Sequence, residues 1–284
     1  MPIKTLVALL DTEAQARSVT KAAVAVAKVF SAHLIGLHVV PNAYIPAASP
    51  YELSGELIEA QRQAYQAAGE RIGAVFGSAT TGEGVPVEWR QVQANLQPAT
   101  SVIMRHGREA DLMILAQPDK PTSLIDGIVM TEEAMLGLGR PVYVVPTASA
   151  VLTVGKRVLL AWNGSRESAR AAFDAIPFLQ QADSVRILVA EPDSRGNWMG
   201  AEDPAVPASG IATTLERHGV RCSVAKVTTS GADVAKEMLA QAKEHNCDLI
   251  VMGGYGHWRI REIVFGGSTR SMLDQTTIPI LMSH

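Results

Sequence analysis

The residues best suited to chemistry lie in one short stretch near the end of the chain. Gly253, Gly254 and Gly256 leave the apolar run DLIVMG, and Gly266, Gly267, Ser268 and Thr269 open the next amphipathic stretch. Glycine lets the backbone take positive φ and lets amide N–H groups approach an anion closely. A helix start adds unpaired N–H groups and a partial positive charge, a combination suited to phosphate. Ser268 and Thr269 bring hydroxyl donors to the same first turn. A lone glycine cluster would serve only turns and a helix cap, but two clusters flanking one loop favour a phosphate cradle. No G-x-x-x-x-G-K-[ST] run occurs, which excludes a P-loop, and no G-x-G-x-x-G follows a first strand, which argues against a dinucleotide fingerprint.

Other reactive side chains form weaker constellations. His257 shares the glycine loop with Trp258, Arg259 and Arg261, and reads either as a phosphate contact or as a solvated loop residue. Glu262 reads as a salt-bridge partner, because nothing beside it resembles an activated nucleophile. Ser165 fits a helix N-cap better than a catalytic serine, since no G-x-S-x-G surrounds it. The histidines lack the spacing of a helical zinc motif, and Cys222 and Cys247 lack metal-ligand spacing. Two thiols are too few for a disulfide framework and read as buried and reduced, which places the protein in the cytoplasm. No catalytic residue and no metal site is assigned.

The elements that must position the glycine loop come in a repeat. Lys4–Asp11 (KTLVALLD) parallels Lys156–Asn163 (KRVLLAWN), and each is followed by an Ala-rich helical stretch, Thr12–Phe30 and Ser165–Gln181. Second strands follow at His33–Val40 and Val185–Ala190. Later runs parallel each other at Asp111–Ala116 and Asp248–Gly253, and each half closes on a Pro-initiated strand, Pro141–Val145 and Pro279–Met282. The first half carries a long helical stretch, Tyr51–Phe76, where the second has the Pro/Gly-rich loop Pro192–Gly210. Continuous apolar strands alternating with helices belong to a parallel sheet covered on both faces. The expected fold is α/β: two doubly wound, Rossmann-like, five-stranded domains with strand order 3-2-1-4-5. They span 1–146 and 152–284, with the linker near Thr147–Gly155. Ligands of such sheets bind beyond the carboxyl ends of the strands, where strand order reverses. In the second half that point lies beside Ala161–Ser165 and Gly253–Ser268.

Bulk composition agrees with this organisation. The 284 residues are 47% hydrophobic and 19% charged, enough for two cores, and the 5% aromatic content makes those cores aliphatic. A net charge of −3 gives no basic footprint for nucleic acid and no cationic face for a membrane.

Gly253-x2-Gly256-x9-Gly266 resembles the nucleotide motif of the universal stress protein family, which continues with Ser or Thr. The flanking DLIVMGGYGH and IPILMSH agree, as does Asn163-Gly164-Ser165 where that family usually has Asp-Gly-Ser. The resemblance covers both halves and is similar to the tandem type. It implies a stress-response role with ATP or AMP as ligand, with or without Mg2+. It also implies that Ala161, Asn163 and Ala190 lie near the base, Gly253 and Gly256 near ribose and phosphates, and Gly266, Gly267, Ser268 and Thr269 on the phosphates. Two departures stand out: Asn163 replaces the Asp, which weakens any metal or charge role, and Gly267 sits where Ser or Thr is usual. In the first half Ala116 and Asp119 occupy the loop positions. Pro118 and Pro121 remove amide donors there, while Asp119, Asp126, Glu132 and Glu133 would repel phosphate. Binding is therefore expected to depend on the second half alone. A ligand-dependent binding module is the leading expectation. A slow ATPase or phosphoryl-transfer enzyme and an interaction protein with a vestigial site are the alternatives. Expected partners are a signalling protein of unknown identity and, through the edge strands 141–145 and 279–282, the other half of the same chain; a homodimer would need a further interface.

Overall fold

In a computed structural model of the chain, the alternating apolar runs become one ten-stranded sheet with helices on both faces. The structure describes residues 2–42, 55–95, 97–118, 127–147, 153–192, 208–229, 234–254 and 267–284. The first half runs β1 (Thr5–Leu9), α1 (Glu13–Phe30), β2 (His33–Val40), α2 (Gly55–Thr80) and β3 (Val87–Gln93). It continues with α3 (Ala99–Arg108), β4 (Leu112–Ala116), α4 (Gly127–Gly137) and β5 (Val142–Val145). The second half runs β6 (Arg157–Ala161), α5 (Arg166–Asp174), α6 (Ile176–Gln181), β7 (Ser184–Pro192) and α7 (Ala208–Arg217). It ends with β8 (Cys222–Thr229), α8 (Val234–Glu244), β9 (Leu249–Gly253), α9 (Gly267–Gln275) and β10 (Ile280–Ser283).

The strand order is β3-β2-β1-β4-β5-β10-β9-β6-β7-β8, so each half has the expected 3-2-1-4-5 order. Neighbours within a half are parallel, and β5 and β10 join the halves antiparallel, with Leu281 opposite Tyr143. The edge pairing expected of 141–145 and 279–282 is thus present. Successive strand residues point to opposite faces. Leu6, Ile114, Val158, Val251 and Leu281 build one core, while Val7, Met113, Leu159, Ile250 and Met282 build the other. Each core runs through both halves.

The repeat has a physical cause at the strand starts. Asp111 Oδ2, just before β4, accepts from the N–H groups of Lys4 and Thr5 at 2.8 and 3.0 Å. Asp248, just before β9, accepts from those of Lys156 and Arg157 at 3.0 and 2.7 Å. In both halves this carboxylate ties the fourth strand to the first. Helix starts repeat too: Thr12 caps α1 by accepting from Gln15 N, and Ser165 caps α5 by accepting from Ser168 N at 3.2 Å.

One element differs from expectation. The helical stretch 165–181 is two helices, with Ala175 between them and Pro177 in the first turn of α6. Proline has no N–H for the preceding turn and crowds its carbonyl, so the helix stops and restarts. The break sets Phe178 of α6 against Tyr143 of β5, ring centroids 6.1 Å apart and near parallel, with Phe30 edge-on to Phe178 at 4.8 Å. This aromatic cluster crosses the seam between the halves.

Candidate functional site at the strand ends

β6 and β9 are neighbours in the sheet, yet the chain leaves them in opposite directions. After β6 it enters α5, whose Ala171 and Ala172 pack on one face; after β9 it reaches α9, whose Met272 and Leu273 pack on the other. Strand order reverses between β6 and β9, so this is the switch point expected from the sequence, the place where sheets of this kind receive ligands.

Of the residues assigned to the site, the described ones lie in or just after β6, β7 and β9 and in the first turn of α9. Ala161 ends β6, and Ala190 lies in β7 paired with Val227; both are half-buried. Asn163 is half-buried and its Oδ1 accepts from Ser165 N at 3.1 Å, shaping the turn that Gly164 completes at φ 76°. Asparagine can do this as well as aspartate, so the departure from Asp-Gly-Ser leaves the turn intact. Gly267, Ser268 and Thr269 form the first turn of α9, with Thr269 buried. Gly256, His257 and Gly266, together with Trp258, Arg259, Arg261 and Glu262, lie outside the described residues.

The glycines at the loop entrance serve packing as well. A Cβ on Gly253 would lie 2.5 Å from the backbone carbon of Glu167 and 2.6 Å from Ser168 N, so only glycine lets α5 sit on β9. A Cβ on Gly254 would lie 2.1 Å from Sδ of Met135, in α4 of the first half. The amide of Gly254 donates to Ser283 O at 3.0 Å.

Three residues beside the site carry no signal in the sequence. His284 brings Nδ1 to 3.0 Å from Gly254 O, which can only accept, so Nδ1 carries the proton of this bond. Its Nε2 is then the acceptor facing Arg166 Nη2 at 3.2 Å. Arg166 is largely exposed and pairs with Glu167 at 3.1 Å. Periodicity cannot show that the last residue of the chain meets the first turn of α5. Only the pairing of β10 with β9 brings them together.

Cys222 and Cys247 are thiols; burial pushes both up, Cys247 to about 11, so neither is a thiolate at neutral pH. Among the described residues no group of three or more His, Cys, Asp or Glu side chains could hold a metal ion. Likewise, no described helix is long and apolar enough to cross a membrane.

Residues 155–284 match the model of the universal stress protein family. That match makes the second half of the chain similar to the universal stress protein family. Universal stress protein Slr1230 of Synechocystis sp. (strain ATCC 27184 / PCC 6803 / Kazusa) is 27% identical over 176 residues, 60% of this chain and 57% of that relative's length. A universal stress protein of Archaeoglobus fulgidus DSM 4304 superposes with a TM-score of 0.69 at 15% identity, covering 98% of this chain and 95% of that one. A protein of Pseudomonas aeruginosa UCBPP-PA14 assigned to the same family gives 0.57 at 16% identity, with 99% and 93% covered. At such identities the two structures speak for the fold alone, and they do so across both halves of the chain.

Proposed function

We propose that this protein binds an adenine nucleotide, ATP or AMP, in its second half and acts as a ligand-dependent module in a stress response. The observation that carries this reading is the placement of the glycine pattern. Its first members end β9, its last open α9, and the two elements flank the switch point. The α9 start offers N–H donors to phosphate, and the small side chains of Ala161 and Ala190 leave room for a flat base between strand ends. In this reading the chain divides into a first domain, 1–146, whose loop has lost its glycines, and a second, 152–284, that holds the ligand. Asn163, Gly256, His257, Gly266, Gly267, Ser268 and Thr269 complete the contacts, and Mg2+ would accompany ATP through its phosphates.

Nucleotide released from freshly purified protein, identified by chromatography, tests this directly, and calorimetry with ATP, AMP and GTP tests selectivity. Retained or titrated adenine nucleotide is expected, with GTP binding weaker. Gly266→Asp should abolish binding while the protein stays folded, because a carboxylate there would oppose the phosphates. A folded Gly266→Asp protein with unchanged ATP affinity would place the phosphates elsewhere.

A further inference from the structure

We infer that the first half sets the geometry of the second half's nucleotide site, with Gln117 as the positioning residue for α9. This rests on the nucleotide reading above and deepens it. Gln117 follows β4 at the place that Gly254 holds after β9. Its amide donates to Val145 O at 2.7 Å, just as the amide of Gly254 donates to Ser283 O. The side chains break the symmetry. That of Gln117 is buried and crosses the seam to the C-terminal end of α9. Its Nε2 donates to Leu273 O at 2.6 Å and to Thr276 O at 3.2 Å, and its Oε1 accepts from Thr147 N at 2.9 Å.

The last carbonyls of a helix have no partner within it. Here two carbonyls at the end of α9 are satisfied from the first half, and the same side-chain amide is held in turn by the N–H of Thr147, where the linker begins. α9 is a short rigid rod, Gly267–Gln275, so anchoring its C-terminal end fixes the direction in which its first N–H groups point. The other flank of the glycine loop is held from the same side, because Met135 fills the space over Gly254. Both segments that bracket the loop therefore rest on first-half side chains. Glutamine suits the task by type: glutamate has no amide to donate, and asparagine is one methylene short. The first half, though lacking its own loop, is part of the second half's site, in contrast to the expectation that residues 152–284 suffice.

Calorimetric titration of the full-length chain with ATP and with adenosine tests the inference in Gln117→Ala and in Gln117→Met, which keeps the volume if the alanine variant fails to fold. Loss of two hydrogen bonds should weaken ATP binding about tenfold. Adenosine affinity should stay at the wild-type value, since α9 faces the phosphates. Ile103→Val, a core change in α3, serves as a stability control and should leave both affinities alone. Wild-type ATP affinity in a folded Gln117 variant, or equal weakening of ATP and adenosine, would overturn the positioning role and leave the nucleotide reading standing. A wild-type chain that binds no ATP would overturn that reading, and this inference with it.

Discussion

Gly253 shows how one residue can satisfy two demands. In the sequence it is the first glycine of a phosphate-type loop; in the fold it is also the contact point between β9 and the first turn of α5. Gly253→Ala should therefore destabilise the protein by about 1–3 kcal/mol, the cost typical of overpacking a close contact. Urea titration of the apo protein measures this in the absence of ligand. An unchanged midpoint would mean that α5 can move aside. The glycine was legible as a special position because no other residue type is as permissive, but its second reason was not, since α5 meets β9 only in three dimensions. His284 and Arg166 were not legible at all: neither lies in a pattern, and β10 alone delivers the chain end to α5.

At the scale of elements, helix and strand identities followed from local chemistry. Thr12 and Ser165 announced helix starts, and the runs DLMILA and DLIVMG announced buried strands. β3 and β8 carry a weaker sequence signal because they lie at the sheet edges. Their segments, VEWRQVQ and CSVAKVTT, mix exposed polar side chains with apolar ones, as an edge half open to water permits. The repeated geometry of Asp111 and Asp248 gives a paired expectation. Replacing either by alanine strips the acceptor from two strand N–H groups, and about 1–3 kcal/mol should be lost in each case. Asp248 is buried and Asp111 only half-buried, so Asp248→Ala should cost more. Chemical denaturation of the two variants side by side checks the order, and a larger loss for Asp111→Ala would refute the burial argument.

For the whole molecule the decisive feature is the antiparallel seam. Both cores pass through it, and Tyr143, Phe178 and Leu281 are fully or almost fully buried there. The chain should consequently unfold as one cooperative unit. Leu281→Ala, which opens a cavity beside Tyr143, should cost about 2–5 kcal/mol and lower hydrogen-exchange protection in β1 and β6 together. Two separated transitions, with β1 unaffected, would show that the halves are energetically independent.

The sequence by itself determined the repeat, the α/β class and the glycines that end β9 and open α9. These follow from periodicity, from glycine's conformational freedom and from the way parallel strands must be connected, all of which act over short stretches of chain. Tertiary structure alone decided which side chains meet the ends of β9 and α9. Gln117 and Thr276 are 159 positions apart, and no local rule joins them. They meet because β5 and β10 pair, and a buried amide must find partners for its hydrogen bonds wherever the fold supplies them.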